Sequence, residues 1–467
     1  MIVLEKTGQI GGRNRPLQVG ESQFDSGPTL LMMLDPFRRL FADVGERFDD
    51  HLSISLCEPS YRAFFADGTN LEATTDRVRM GAQIQDLAGP QDRAGYERLL
   101  DDLQALYCEA VPNFIERNYD RLTDFVNSSA LKLVARHRLL ANLSRRVRRY
   151  VSDERLRMLF SFQTMYLGLS PFEAPWVYAV LTWMEYGEGI WYPKGGLVEI
   201  ASAIAKLAEQ RGAEIRLNSP VARVESGRVM LQDGSAIHAK AVVVNADLPY
   251  AERELLAPSP QSKSANRSFA TKVRRRRSSC SAFMMYLDYE GDIPELEHHN
   301  VFFGADFKGN LDDIFRRGLL PKDPAFYVCV SSKTDPERSA KGHSNIMVLV
   351  PCPNLDRPWS EADAEALRYA VFRRLCETTS FDPARIATMQ TLGPPEWRDE
   401  LNLDRGAAFG LSHHFLQSAY FRPSNRSKVR GVYFVGASTT PGNGLPMVLI
   451  SAELVEQRLL QDRLVES

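Results

Sequence analysis

The first fifteen residues hold a carboxylate, two glycines and an arginine at a spacing suited to nucleotide binding. Residues 2–4 are apolar and predict a short buried strand that ends at Glu5. In dinucleotide-binding folds, an acid at the end of the second strand accepts hydrogen bonds from the ribose hydroxyls of an adenosine. Gly11 and Gly12 let the backbone approach a phosphate closely, and Arg13 adds positive charge beside them. This segment therefore predicts part of a cofactor site.

The glycine-rich phosphate loop of such folds is not found ahead of Glu5. That loop normally lies about 20 residues before the acid, whereas only four residues precede Glu5. We therefore expect an N-terminally shortened form of a longer protein with a misassigned start codon. An in-frame GxGxxG motif upstream of Met1 would support this expectation. The alternative is that Glu5 is an ordinary surface acid at a strand end.

A second glycine-rich turn lies near the C-terminus, between a predicted strand and a predicted helix. Gly436, Gly442 and Gly444 permit close backbone approach. The helix N-terminus adds N–H donors and the positive end of the helix dipole. The turn continues through Leu445, Pro446 and Met447. It is suited to a pyrophosphate, and the alternative is an ordinary Gly/Pro loop.

Size and composition limit what can position these residues. The chain of 467 residues is long enough for two or three domains. Its composition, with 44% hydrophobic and 25% charged residues, indicates a globular protein with a sizeable core. Its 30 glycines and 26 prolines are too frequent and too scattered for a coiled coil. The net charge of −2 gives no reason to expect nucleic acid as a partner.

Cysteine usage and hydropathy indicate the compartment. The six cysteines form no CxxC pair, so the sequence predicts neither a disulfide framework nor a zinc site. It predicts a reducing compartment. The histidine pairs 298–299 and 413–414 are poorly placed to chelate one ion through both rings, and we assign no metal. No apolar run reaches the roughly 18 residues that span a bilayer, and no signal peptide is present. We expect a cytoplasmic protein.

Hydrophobic periodicity predicts an α/β protein. Apolar residues at helical spacing predict helices over 34–44 and from 197 onward. The region from about 76 to 185 is helical and strand-poor. Alternating or apolar runs predict strands over 213–217, 221–225, 228–231, 241–247 and 432–435, with a hairpin turn at 233–234 and a last helix over 448–460.

Several motifs together resemble one family. The step from Glu5 to Gly11-Gly12-Arg13 is similar to the E-x6-GGR element of glutathione-reductase-like flavoproteins. Residues 24–28 are similar to the FDxGP segment of the carotenoid-acting members. Residues 431–446 are similar to their terminal signature, LYFVGAxTHPGxGxP. Further similarities to LRxAFSF, WFPRGG and QSAWFRPHNR occur at residues 155–163, 191–196 and 417–426. The chain resembles the bacterial and fungal type of phytoene desaturase over nearly its whole length.

The resemblance implies a fold and a cofactor. The fold is a glutathione-reductase-like FAD domain of the Rossmann type, interleaved with a mixed α+β substrate domain that has a helical, membrane-associated part. The implied ranges are 1–70, 194–256 and 425–467 for FAD binding, 71–193 and 280–424 for the substrate, and 257–279 for a linker. The FAD site would comprise the glycine-rich segments above, and the backbone of Val221 would meet the adenine edge.

The implied activity is desaturation of phytoene or a related C40 or C30 polyene in carotenoid biosynthesis, with a quinone or oxygen as electron acceptor. Two departures keep alternatives open. Thr440 replaces a family histidine near the flavin, which admits a later carotenoid desaturase or a terminal-methyl oxidase. The missing phosphate loop admits a flavin-free, inactive carotenoid- or lipid-binding protein. An amine oxidase is a weaker alternative because the middle of the chain is apolar and aromatic.

A hydrocarbon substrate would need an apolar tunnel, and residues 160–192 are rich in aromatic side chains. We expect the tunnel to be lined by Phe162, Tyr166, Trp183, Trp191 and Thr440. The alternative is a packed core, because aromatic residues at helical spacing more often form cores.

The reaction also needs a proton acceptor. Asp124 stands where the family carries an acid proposed for this role, and the alternative is a surface acid at a helix start. Glu185 and Glu188 lie among aromatic residues and are further candidates.

Clustered arginines at 136–138 and 145–149 predict contact with anionic headgroups, and hence a peripheral membrane protein. The alternative is a solvated charged face.

Overall fold

The cofactor region is assembled from separate parts of the chain. The structure is a computed structural model that describes residues 1–120, 128–256 and 276–465. Strand Ile2–Leu4 pairs in parallel with Glu214–Arg216, and Val242–Val244 pairs in parallel with Val432–Phe434. An antiparallel sheet of Val221–Glu225, Arg228–Leu231 and Ala236–His238 follows, with its predicted turn at Gly234. These pairings confirm the predicted α/β class.

A seven-stranded sheet forms the second region. Its strand order is Ile386–Leu392, Ser281–Glu290, His343–Cys352, Phe326–Val330, His299–Phe302, Tyr61–Phe64 and Asn70–Ala73. Neighbours are antiparallel except His299–Phe302 and Tyr61–Phe64, which are parallel. Strand Tyr61–Phe64, which the resemblance groups with the FAD-binding range 1–70, therefore lies in this sheet. Its parallel partner strand is more than 200 residues away in the chain, so no local pattern could reveal the pairing. Smaller antiparallel pairs join Pro16–Val19 to Ser22–Asp25 and Ile54–Leu56 to Trp191–Pro193.

Between residues 77 and 188 the described residues are mostly helical and strand-poor, as predicted for about 76 to 185. The helices of this region, with π-helical turns at two ends, are Arg77–Ala88, Pro90–Ala110, Val111–Ile115, Ser128–His137, Leu143–Val147, Glu154–Leu159, Val180–Trp183 and Met184–Glu188. Elsewhere helices cover Asp35–Asp43, Phe48–His51, Val198–Gln210, Leu248–Tyr250, Ala251–Leu255, Phe307–Asp312, Asp313–Arg317, Glu361–Thr378, Pro394–Leu401 and Leu445–Gln461. Short 3₁₀ turns include Gly12–Asn14, Phe162–Leu167 and Trp176–Ala179.

The last helix begins at Leu445, three residues earlier than predicted. Gly444 precedes it with φ 115°, and Pro446 occupies its first turn. Proline is favoured there because its missing N–H would have no partner inside the helix. The helix N-terminus therefore lies directly against the glycine-rich turn.

The described part of the predicted linker is packed rather than free. Ser279 is buried, and its backbone N–H donates to Gly410 O at 2.8 Å. Arg276 forms an ion pair with Glu252. Residues 276–279 thus belong to the folded body, while 257–275 lie outside the described residues. Among the described helices, none combines the length and apolar character needed to cross a bilayer.

Candidate functional site

A large cavity lies between the cofactor strands, the seven-stranded sheet and the aromatic helical segment. Its volume is about 2000 Å³, whereas ordinary small-molecule sites occupy roughly 300–1,000 Å³. Strand Ile2–Leu4 and the start of helix Leu445–Gln461 line one part. Tyr327 of the large sheet lines another part, together with Phe303 just after strand His299–Phe302. The cavity therefore has room for more than one ligand.

The cavity continues as an apolar slot between the two parallel strand pairs. Strands Ile2–Leu4 and Val242–Val244 each pair with one strand, and no strand within the described ranges joins them. The apolar side chains of Ile2, Val3 and Val243 are 42%, 39% and 45% exposed, and all three line the cavity.

Glu5 directly follows the first strand and lines the cavity. Its N–H donates to Arg216 O at 3.0 Å, and its carbonyl accepts from Ser219 N at 2.8 Å. Its Oε1 accepts hydrogen bonds from the N–H and the hydroxyl of Thr7, at 2.7 and 2.8 Å. The carboxylate is thus fixed at the strand end, where sequence predicts contact with ribose hydroxyls.

The turn after Glu5 depends on glycine. Gly11 and Gly12 have φ 109° and 58°, a region that side chains disfavour. Gly27 packs against this turn, and a Cβ there would lie 2.5 Å from Arg13 O. The FDSGP segment therefore supports the Gly-Gly-Arg turn, which explains why the two motifs occur together in this chain.

Arg13 forms an ion pair with a buried acid at the cavity wall. Its Nη2 lies 3.7 Å from Asp247 Oδ1, and Ser438 Oγ donates to the same oxygen at 2.7 Å. Burial raises the pKa of the Asp247 carboxyl and lowers the pKa of the Arg13 guanidinium, while the charge of each opposes the shift of the other. Sequence reasoning missed Asp247, although its position just after a buried strand was a signal.

The C-terminal turn is packed too closely for side chains at two glycines. A Cβ on Gly436 would lie 2.8 Å from Asn245 Oδ1, and one on Gly442 would lie 2.6 Å from His413 Nε2. Both glycines line the cavity, as do Gly444, Leu445, Pro446 and Met447. The backbone and the helix N-terminus therefore meet any ligand directly, as expected for a cofactor cradle.

Arg422 and His413 support this turn and were not predicted as site residues. Arg422 Nε donates to Thr439 O at 2.8 Å, and burial lowers the pKa of its guanidinium to about 10. His413 Nε2 lies 3.3 Å from Asn443 N. Burial and the nearby Arg422 charge hold the pKa of His413 well below its usual value. Arg422 lies in the motif at 417–426, which was the available signal.

Several other predicted residues also reach the cavity. Val221, Phe162, Tyr166 and Thr440 contribute to its wall. Thr440 Oγ1 donates to Pro423 O at 3.2 Å, which holds the hydroxyl against the motif at 417–426.

Trp183 and Trp191 do not contribute to the cavity wall described here. Val180, Leu181 and Met184 line it instead, while the Trp183 ring packs beneath the Arg77 guanidinium, 5.9 Å from the ring centroid. Trp191 lies in the small sheet with Ile54–Leu56, and its indole donates to Glu188 O at 3.1 Å. Asp124 lies outside the described residues.

A buried cluster of Cys57, His298 and His299 has side-chain ligand atoms within 4.8 Å of one another. Each His Nδ1 is already hydrogen-bonded to a hydroxyl, of Thr334 or of Tyr327, at 2.6 Å. Burial raises the pKa of the Cys57 thiol to about 12. Tyr327, the hydroxyl partner of His299, lines the cavity, so the cluster adjoins the cavity wall.

The amino-acid sequence is similar to known oxidoreductases over nearly its whole length. Residues 1–460 match the model of the family described as flavin containing amine oxidoreductase. The chain is 39% identical to a zeta-carotene-forming phytoene desaturase of Myxococcus xanthus, covering 98% of this chain and 89% of that protein. It is 32% identical to a carotenoid 3,4-desaturase of Haloarcula japonica, covering 98% and 93%.

Solved structures show the same fold at low sequence identity. An oxidoreductase from Methanosarcina mazei superposes with a TM-score of 0.62 at 15% identity, covering 98% of this chain and 94% of that one. Cyclohexylamine oxidase from Brevibacterium oxydans gives a TM-score of 0.57 at 16% identity, covering 98% and 93%.

Proposed function

Because the chain belongs to the flavin containing amine oxidoreductase family, we propose that it is an FAD-dependent carotenoid desaturase acting on phytoene or a related polyene. The observation that carries this proposal is near-full-length similarity to phytoene desaturases. The site agrees chemically, because a large, mainly apolar cavity adjoins the glycine turns suited to a dinucleotide.

The residues of the two glycine turns fit FAD. Glu5 would hold the ribose, the Gly11-Gly12-Arg13 turn would lie near the phosphates, and the turn from Gly436 to Met447 would hold the flavin end. The close packing at Gly436 and Gly442 supports this assignment, because a Cβ there would force Asn245 or His413 to move. When bound, FAD supplies an acceptor for a hydride from a C–H bond beside the polyene.

The chain's own contribution is to hold the hydrocarbon and to exclude water. Phe162, Leu181, Met184 and Phe303 line the cavity and provide an apolar wall. Such a wall orients a polyene by shape and buries its surface, worth roughly 25 cal/mol per Å².

We also propose that the protein works at a membrane surface and passes electrons to a quinone or to oxygen. The polyene itself dissolves in lipid, and the arginines at 145–149 follow the exposed Leu140 in the sequence. Desaturation under nitrogen with a quinone, compared with desaturation in air, distinguishes the two acceptors.

The test is a visible absorption spectrum of the purified chain with FAD and with liposomes that carry phytoene. We expect flavin bands on the protein, followed by new long-wavelength polyene bands. Bound flavin without any change to phytoene would contradict the proposed substrate, and feeding later polyenes would then test the later desaturase and the terminal-methyl oxidase. Absence of flavin under saturating FAD would favour a binding protein, and peroxide from amines would favour an amine oxidase.

A further inference from the structure

Glu185 is a carboxylic acid buried inside the aromatic segment. It is 1% exposed and lies in the π-helical turn Met184–Glu188, directly after Val180–Trp183. Such π-turns occur frequently at functional sites. Its Oε2 is buried and makes no hydrogen bond at normal geometry within the described ranges. A buried oxygen without a hydrogen-bond partner lowers the stability of the fold, and a catalytic role is one explanation for such an atom in a native structure.

Tyr166 connects this acid to the cavity. The Tyr166 hydroxyl donates to Glu185 Oε1 at 2.7 Å, and Tyr166 is one of the residues that line the cavity, whereas Glu185 is not. The backbone carbonyl of Tyr166 accepts from Asn443 Nδ2 at 3.3 Å. Tyr166 therefore touches the cofactor turn on one side and the buried carboxyl on the other.

Neighbouring contacts hold this pair in place. Thr182 Oγ1 donates to Gln163 Oε1 at 3.2 Å, joining the segment of Tyr166 to the helix before Glu185. The Phe162 and Tyr166 rings meet edge to face with centroids 5.7 Å apart. The hydroxyl–carboxyl contact is thus built into two packed segments and not into a mobile loop.

We propose that Tyr166 takes up the proton that the substrate loses during desaturation and passes its own phenolic proton to Glu185. The substrate C–H bond breaks, and its electron pair becomes the second bond of the new C=C. The proton bonds to Tyr166 Oη while the phenolic proton moves to Glu185 Oε1. Bound FAD would supply the acceptor for the hydride from the adjacent carbon, so this inference rests on the proposed function. Release of the proton from Glu185 after turnover restores the carboxylate.

The surroundings give this step a characteristic pH dependence. Burial raises the pKa of the Glu185 carboxyl to about 8, and the hydrogen bond from Tyr166 opposes the shift. Tyr61 and Tyr186 also face Glu185, and Tyr327 faces Tyr166, each with a pKa well above its usual value. These phenols stay neutral near pH 8, so the carboxylate alone gains charge there. Turnover should therefore rise with pH through about 8.

The experiment compares the FAD-loaded wild type with Glu185→Gln, Glu185→Asp, Tyr166→Phe and the double variant Y166F/E185Q on phytoene vesicles. Turnover is measured between about pH 6 and about pH 9, and flavin absorption reports folding. We expect E185Q and Y166F each to lower turnover by about 100-fold. The double variant should lose no more than either single variant, and E185D should restore part of the rate. Glu188→Gln, in the same turn but bonded to Tyr107, should keep the wild-type pH profile.

A second readout does not depend on turnover. Infrared difference spectra of the protein without substrate should show a carboxyl band that titrates near pH 8, disappears in E185Q and shifts in Y166F. Wild-type turnover and pH profile in folded E185Q or Y166F would overturn the proton relay. If the wild type fails to convert phytoene, the proposed substrate fails. A missing carboxyl band, or one insensitive to Y166F, would then overturn the Tyr166–Glu185 pair separately.

Discussion

At the residue scale, the candidate site depends on glycines that lack a Cβ as much as on charged side chains. Gly436 and Gly442 leave room that a single Cβ would fill, and both line the cavity beside the last helix. Glu5, Arg13 and Asp247 place charge around the same space. A substitution at one glycine should therefore affect the cofactor before it affects the fold.

Gly442→Ala should weaken FAD binding by about 10-fold or more, because the new Cβ would lie 2.6 Å from His413 Nε2 and a steric cost of about 1.4 kcal/mol already gives tenfold. Flavin fluorescence titration measures the Kd. Gly234→Ala, at φ 86° in an exposed hairpin turn with open space around its Cβ, is the control. Equal flavin affinity in both variants would argue against the cradle.

Glu185→Gln should stabilise the protein at alkaline pH. The carboxyl pKa is 4.5 in a model compound and about 8 in the folded protein. A raised acid pKa leaves stability intact below about 4.5 and removes it as the pH rises toward about 8. The Tm of E185Q should therefore exceed that of the wild type at pH 9 by more than at pH 5. Parallel Tm curves would contradict the raised pKa.

At the scale of elements, packing of the helical region fixes where the aromatic segment lies. Helix Pro90–Ala110 packs tightly at Gly95, where a Cβ would approach Tyr150 O to within 1.8 Å. Buried leucines of this helix belong to the same core as Phe160 and Tyr186. The close backbone approach at Gly95 therefore positions the core on which the aromatic segment, and with it part of the cavity wall, is packed.

Gly95→Ala should lower the free energy of unfolding by roughly 1–3 kcal/mol, the usual cost of overpacking. Gly81→Ala is the matched control, because its Cβ would meet only the flexible Arg93 side chain at 3.3 Å. Alanine should even favour that helix by up to about 1 kcal/mol. Urea unfolding followed by circular dichroism measures both, and equal midpoints would contradict the tight packing at Gly95.

At the scale of the whole molecule, one cavity serves two regions that are far apart in sequence. The cofactor turns come from both ends of the chain, and the remaining wall comes from the aromatic segment and the large sheet. The proposed membrane surface belongs to this scale as well, since a lipid-soluble substrate must reach the cavity from a bilayer.

Replacing Arg145, Arg148 and Arg149 by glutamine should weaken binding to anionic vesicles. Each basic residue near a charged surface contributes about 1 kcal/mol, so we expect a loss of about 100-fold, and wild-type binding should fall as salt rises. Vesicle sedimentation measures the bound fraction. A triple variant with wild-type binding, or binding independent of salt, would contradict the headgroup contact.

The sequence by itself determined the α/β class, the family and the cofactor, and it predicted which residues would hold that cofactor. Motifs such as Gly11-Gly12-Arg13 and the turn after Gly436 can be recognised in the sequence, because a close approach of the backbone to a cofactor requires glycine at particular positions. Local periodicity likewise located the helices Asp35–Asp43 and Val198–Gln210.

Only the tertiary structure decided which distant residues meet. It paired Arg13 with Asp247, placed Tyr61–Phe64 in the large sheet, and turned Trp183 toward Arg77 while Phe162 and Tyr166 reached the cavity. It also separated Glu185, bonded to Tyr166, from Glu188 three residues later. The physical reason is that these outcomes depend on pairing and packing between segments far apart in the chain, which periodicity within one segment does not encode.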